Sequence, residues 1–180
     1  MPLQPAPTHP VPLPEPPLPP PLQPDDIRLL SDVGFVAVAA GLHRQAVDTF
    51  AVLQLLRPHR AFPYIGEASS HFNEGQPEEA EKVLRRGRKL LDQFAFGARQ
   101  GTTTAESPVR EDAETAQLKE DRALLAAFHG LALQLSHEPS RASQALRQAL
   151  DIEPDGAAAR IARTMLGLGT DSAPLPSNPI

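Results

Sequence analysis

Histidines and arginines are the side chains of this sequence whose types could support metal binding, acid–base catalysis or anion recognition. No two histidines stand four residues apart, the spacing that places two metal ligands on one helix face. There is no cysteine, which excludes disulfides, thiol nucleophiles and thiolate metal sites. We therefore expect no metal and no cofactor, and we interpret the packed histidines as core residues bonded to carbonyl groups. The six are His9, His43, His59, His71, His129 and His137.

Catalytic motifs are absent from the sequence. It contains no G-x-S-x-G nucleophile turn, no phosphate-binding or dinucleotide-binding glycine pattern, and no H-E-x-x-H zinc motif. The sequence predicts a protein that is not an enzyme.

A basic run at 85–89 could suggest a nucleic-acid surface. It follows an acidic run at 78–81, and the pairs Glu78–Lys82 and Glu81–Arg85 have the favourable i, i+4 order. We interpret this run as a solvated helix face. The formal net charge of -5 also argues against nucleic acid or an anionic membrane as partner. No apolar stretch reaches the roughly 18 residues that a membrane helix needs, so we expect no membrane insertion. The N-terminus lacks the basic and apolar regions of a signal peptide.

The elements that must position any binding residues are predicted to be helices. Hydrophobic residues make up 41% of the chain and aromatic residues only 4%, with alanine and leucine dominant. This composition favours closely packed helices over a β-sandwich. The fold class is predicted to be all-α, with antiparallel helix pairs stacked as a right-handed superhelix.

A repeat with a period of about 34 residues organises the central part of the chain. The copies are predicted at 27–60, 61–94 and 123–156. Small residues at positions 8 and 20 allow the two helices of a pair to approach, large residues at position 24 fill the space beside them, and glycine at position 15 permits a left-handed turn. The residues at positions 8, 20 and 24 are Gly34, Ala46 and Phe50, then Ala68, Ala80 and Leu84, then Gly130, Ala142 and Leu146.

Several segments depart from the repeat. The second copy matches the pattern less well, because it has Glu67, Gly87 and Asp92 at key positions. Its second helix is predicted to run from Pro77 to about Ala95. An insertion at 95–122 follows, with a mobile polar loop from 97 to 108. A capping helix is predicted at 156–168, with Asp155 as its N-cap and Gly169 closing it, and it would complete a domain at 25–169.

Both ends of the chain are rich in proline. Residues 1–24 include 12 prolines, so we predict an extended, disordered tail, and 170–180 form a second one. The longer tail is interpreted as a spacer. A ligand for a proline-recognition module stays open as the alternative.

A concave groove is the predicted binding site. Positions 2, 5, 9, 12 and 13 of each first helix line it, and most of these residues are apolar. They are not needed for packing inside a repeat, so we expect an exposed trough that binds an apolar helix or extended peptide of a protein client. The alternative is that the cap or the N-terminal tail covers them. The principal residues are Phe35, Val38, Phe62, Ile65, Phe72, Leu124, Leu131 and Leu135.

Residues 27–168 resemble the tetratricopeptide-repeat (TPR) family on the strength of this spacing. The run LLSDVGFVAVAAGLHRQAVDTFAVLQLLRP, followed by AFPYIGEASSHFNEGQPEEAEKVLRRG, resembles the small bacterial type III secretion chaperones. That resemblance implies a cytoplasmic chaperone that holds a needle subunit or translocator before export, together with a small helical co-chaperone. TPR proteins that bind chaperone C-termini use Lys and Asn where this sequence has Phe35, Ile65 and Leu131, which argues against that subclass. A scaffold within a larger assembly is the alternative function.

Overall fold

The computed structural model describes residues 23–100 and 108–168, with side chains described at 23–97 and 113–168. Within these ranges there are seven α-helices and no strands, so the all-α prediction is confirmed. The predicted tails, apart from their residues at 23 and 24, and residues 101–107 of the predicted loop lie outside this part of the chain. The helices are α1 (Pro24–Ala39), α2 (His43–Leu56), α3 (Phe62–Asn73), α4 (Pro77–Gln100), α5 (Pro108–Leu135), α6 (Pro139–Ile152) and α7 (Ala157–Leu166).

The turns within the helix pairs follow from residues that tolerate a left-handed backbone. Gly41 and Gly75 have φ of 70° and 67° at the ends of α1 and α3. The corresponding position after α5 is His137, whose φ is 60°. A non-glycine residue in this region is strained, so the third pair turns at some cost in stability. Pro139 in the first turn of α6 then restarts the chain as a helix.

Helices pack as three successive pairs followed by a single helix. α1 packs on α2, α3 on α4 and α5 on α6, while α7 lies against both α5 and α6. The first helices of the pairs also contact one another, α1 with α3 and α3 with α5. α1, α3 and α5 therefore form a row, and this row carries the predicted groove.

Glycines at close helix crossings receive large side chains from neighbouring helices. The ring of Phe50 lies against both Gly34 and Gly66, where an added Cβ would collide with it. The ring of Tyr64 occupies the corresponding space at Gly87. Gly87, which departs from the repeat pattern, is therefore explained by the aromatic ring that packs on it.

Two boundary expectations differ from the structure. α4 continues to Gln100, so the segment expected to be loop from 97 onward begins as helix. α7 begins after Gly156 and ends at Gly167, whose φ of 68° is the left-handed conformation that commonly terminates a helix. Asp155 is therefore not its N-cap, and Gly169 does not close it. Asp155 lies 3.9 Å from Arg163 instead.

Candidate functional site: the α1–α3–α5 face

The eight predicted groove residues are carried by three adjacent helices. α1 supplies Phe35 and Val38, α3 supplies Phe62, Ile65 and Phe72, and α5 supplies Leu124, Leu131 and Leu135. Phe35 is 40% exposed and Leu135 47% exposed. The other six are half-buried. The row thus presents an apolar surface whose side chains are partly available to a partner.

The expectation that these residues make no packing contact inside a repeat is wrong for Phe35, Ile65 and Phe72. The ring of Phe35 makes an edge contact with Phe50 of the same helix pair, with centroids 5.0 Å apart. Phe62 packs on the cluster around Phe50. Ile65, Phe72 and Leu124 pack on the cluster around Tyr64. These side chains have both a structural role and a surface facing outward, because an amphipathic helix face that borders a core buries its edges.

Polar side chains on the same face are already bonded to backbone carbonyls. Ser31 Oγ donates to Ile27 O and Ser69 Oγ donates to Ile65 O, both at 2.7 Å. Asn73 Nδ2 donates to Val38 O at 2.9 Å, which ties α3 to α1. These three donors are therefore engaged within the fold and are not available on the apolar surface around them.

The described histidines lie in separate settings rather than in a ligand cluster, and the ring of His59 stacks on Phe94 with centroids 3.9 Å apart. His43 Nδ1 lies 2.8 Å from Ser70 Oγ, and its ring makes an edge contact with the ring of His71. His71 Nδ1 lies 3.0 Å from Gln76 Oε1. His9 lies outside the described residues. Across 23–100 and 108–168, no three metal-ligating side chains converge.

His129 is a buried histidine that links three helices through side chains. Arg88 donates to His129 Nδ1 at 2.5 Å, so that nitrogen must be an unprotonated acceptor. His129 Nε2 then carries the proton and faces Glu81 Oε1 at 3.4 Å. Arg141 of α6 also reaches Glu81, at 3.3 Å. Burial, and then the Arg88 guanidinium, hold the pKa of His129 below its ordinary value. The expected bond to a carbonyl is replaced by this network.

The interpretation of the basic run as a solvated face holds except at Arg88, which is half-buried, and the exposed Arg86 also pairs across helices. Arg86 donates to Gln54 Oε1 at 2.7 Å and to Glu67 Oε2 at 3.0 Å, and so connects α4 to α2 and α3. Arg85 and Lys89 are exposed as expected. The Glu81–Arg85 pair forms at 3.6 Å, whereas Lys82 pairs with Glu79 at 2.6 Å and not with Glu78.

A hollow of about 550 Å³ lies along the exposed side of α4. It is rimmed by cationic side chains, and its one carboxylate is paired with Arg122 at 2.8 Å. This hollow is carried by a second helix of a pair, away from the groove face. Its lining residues are Arg85, Arg88, Lys89, Asp92, Gln93 and Phe96.

Among the helices that the structure describes, none combines the length and the apolar character needed to cross a bilayer.

Comparison with known proteins identifies the fold. No protein-family model matches the sequence, and no curated protein matches it. Three solved structures are similar. The type III secretion translocator chaperone SycD of Yersinia enterocolitica is 14% identical, with a TM-score of 0.58 over 82% of this chain and 92% of that one. The N-terminal domain of stress-induced protein-1 from C. elegans is 16% identical, with a TM-score of 0.53 over 79% and 95%. The Arabidopsis OM64 TPR domain is 15% identical, with a TM-score of 0.50 over 80% and 96%. The stacked helix pairs of this chain are thus a TPR-type fold, as its 34-residue spacing predicts.

Proposed function

We propose that this protein is a cytoplasmic TPR chaperone that holds an apolar segment of a type III secretion client, a needle subunit or translocator, before export. The observation that carries the proposal is the apolar α1–α3–α5 face, whose serines and asparagine are occupied by backbone carbonyls. A face of this kind binds an amphipathic helix or an extended apolar peptide. A small helical co-chaperone is proposed as a further partner.

The likeness to SycD supports the choice of client. SycD is a translocator chaperone of similar fold, and this chain spans most of its length. The groove positions where C-terminus-binding TPR proteins carry Lys and Asn hold Phe35, Ile65 and Leu131 here. A terminal carboxylate would find no cation at those positions, whereas an apolar segment would find matching surface.

Groove variants test the proposal. Phe35 and Leu135 are the most exposed of the eight groove residues, so Phe35→Ser with Leu135→Ser is the double change that disturbs the core least, although Phe35 also contacts the ring of Phe50. Each apolar anchor at an interface is commonly worth roughly 2 kcal/mol, so the pair should weaken client affinity up to about a thousandfold. The client is first identified by affinity capture and mass spectrometry, and its affinity is then measured by calorimetry with purified components.

The control changes two exposed apolar residues outside the groove. Leu55→Ser with Phe96→Ser removes two exposed side chains of α2 and α4 and should leave affinity unchanged. Circular dichroism of both double variants must show a folded protein. Full affinity in the folded groove variant would show that the client binds elsewhere.

The hollow beside α4 favours a second candidate, a scaffold that holds two proteins at once. Its cationic rim suits an acidic segment, and it is separate from the groove. Lys89→Glu would then abolish one captured protein and spare the other. A single captured protein, lost only on groove substitution, would reject the scaffold.

A further inference from the structure

One end of the groove, here called the near end, lies beside the N-terminus of α1. Each helix pair turns through a short loop, so its two helices are antiparallel, and α1, α3 and α5 run in the same direction. Arg28, Phe62 and Leu124 share position 2 of their repeats and are therefore level with one another across these helices. Pro24, the first residue of α1, lies one helical turn before Arg28. Residues 1–22 thus join the fold at the edge of the near end.

The near end of the groove is apolar. Phe62, Ile65 and Leu124 are each half-buried there, so part of every side chain faces outward. The nearby hydroxyls of Ser31 and Ser69 are bonded to carbonyls of their own helices. A segment that binds here must therefore be apolar and must not depend on these hydroxyls for hydrogen bonds. A polyproline II segment meets both conditions, because its backbone has no internal hydrogen bonds, stays solvated, and proline has no N–H to satisfy.

Residues 1–22 have the composition of such a segment. Eleven of them are proline, Glu15 is the one acidic residue, and there is no lysine or arginine. In polyproline II, residues three apart share a face. Pro16, Pro19 and Leu22 have that spacing and form an apolar face, whereas Glu15 lies on another face.

We propose that residues 1–22 of the same chain occupy the near end of the groove when no client is bound. Spacing fixes the register, because three residues of polyproline II advance about 9 Å and the axes of packed helices lie about 8–10 Å apart. Each three-residue step therefore brings the apolar face to the next helix of the row. Leu22 lies beside α1, Pro19 lies on α3 and Pro16 lies on α5.

Attachment to α1 makes a weak contact effective. A segment tethered by so short a link has an effective concentration in the millimolar range at its own groove. Its effect on clients rests on the proposed function: a groove occupied roughly nine-tenths of the time would bind a client about tenfold more weakly than an open one. The segment is thus a competitor that a client must displace. The exposed Phe35 and Leu135, at the far end of the groove, stay open to begin that exchange.

Paramagnetic broadening in nuclear magnetic resonance spectra of the full chain tests the contact without any client. The chain has no cysteine, so Glu15→Cys creates a single attachment point for a nitroxide label. Because Glu15 lies off the apolar face, the label leaves the contact intact. We expect the amide signals of Ile65 and Leu124 to lose intensity, while those of Gly41 and Gly75 at the far end keep it. No loss at the near end, or equal loss at both ends, overturns the proposal.

A pair of matched variants tests the register. Pro16→Asp with Pro19→Asp places two carboxylates on the face that meets the groove and should abolish the signal loss. Pro17→Asp with Pro20→Asp makes the same change in composition and charge on a different face, one residue further along, and should preserve the signal loss. Equal behaviour of the two variants would show that the segment has no fixed register, and the proposed contact would be rejected.

A mixed sample separates contact within one chain from exchange between copies. The nitroxide is carried by chains at natural isotope abundance, and the spectrum is recorded from isotope-enriched chains without nitroxide. Signal loss at Leu124 in this mixture would mean that the segment comes from a second copy, which contradicts the same-chain proposal. Since no client takes part, failure of the proposed function leaves the measured contact unchanged, and failure of the contact leaves the role of the groove in client binding standing.

Discussion

The front of the molecule, α1 to α4, and the back, α5 to α7, fill the space between their closely packed helices with different kinds of residue. In front, aromatic rings fill spaces beside glycines: Phe50 lies against Gly34 and Gly66, and Tyr64 against Gly87. At the back, the buried positions are mostly alanines, and the largest side chain at a glycine is Leu146 against Gly130. The junction of front and back is further held by the polar network of Arg88, His129 and Glu81. The same helix-pair geometry can therefore be packed with rigid aromatic rings or with small aliphatic side chains. The condition is that a small residue lies at each point where two helices approach closely.

The largest loss of stability is expected from a substitution beside the most tightly enclosed ring, that of Phe50. Gly66→Ala would drive a methyl group into the wholly buried ring of Phe50 and should lower the free energy of unfolding by about 3 kcal/mol. Urea denaturation measures it. Gly97→Ala is the control, because nothing lies within 4 Å of an added Cβ there, and alanine in a helix should stabilise by up to about 1 kcal/mol. A Gly66→Ala protein as stable as wild type would contradict the enclosed-ring description.

Substituting a buried alanine by leucine in each half allows the packing of the two halves to be compared directly. Ala46 in front and Ala142 at the back are both wholly buried. Leucine at either position should destabilise by about 1–3 kcal/mol. We expect the larger loss at Ala46, because the cluster around it contains the rigid, enclosed ring of Phe50, whereas Leu133 in the cluster of Ala142 has an aliphatic side chain that can change rotamer. A larger loss for Ala142→Leu in the same denaturation assay would reverse this ranking.

The polar junction predicts that stability depends on pH. The folded pKa of His129 is lowered, so the unfolded chain binds a proton more readily. Stability is therefore full above the unfolded pKa of about 6.5 and falls as pH drops below it, by up to about 1.4 kcal/mol per pH unit. The neighbours that set this pKa are Arg88 and Glu81 of α4 and Arg141 of α6. His129→Gln should flatten the decline between pH 6.5 and 5, measured by thermal unfolding. An equal decline in both proteins would assign the effect to other groups.

The smallest change in stability is expected at Arg85, on the exposed side of the Arg88–His129–Glu81 network. Arg85 contacts Glu81 at 3.6 Å from a side chain that is mostly solvated. Arg85→Ala should change the free energy of unfolding by no more than about 0.5 kcal/mol. Arg88→Ala is the comparison, because it leaves His129 Nδ1 buried without its donor and should cost more. Similar losses for the two variants would mean that burial does not distinguish these arginines.

The sequence by itself determined the helical class, the period and most turns of this protein. Small residues at positions 8 and 20, large ones at position 24, and glycines such as Gly41 and Gly75 each have a local physical reason. They could be identified without knowing what packs on them. The apolar face of α1, α3 and α5 could be predicted as a site by the same periodicity, although its role in binding is still a proposal.

Only the tertiary structure decided which residues that depart from the repeat pattern are stabilised by contacts with other helices. Gly87 and Glu67 weaken the second copy when it is considered alone. Yet Tyr64 packs on Gly87, and Glu67 binds Gln54 and Arg86. The interpretation of Arg88 as solvated and of Phe35 as free of packing failed for the same reason. Whether a side chain is exposed depends on residues tens of positions away in the chain, and helical periodicity carries no information about those contacts.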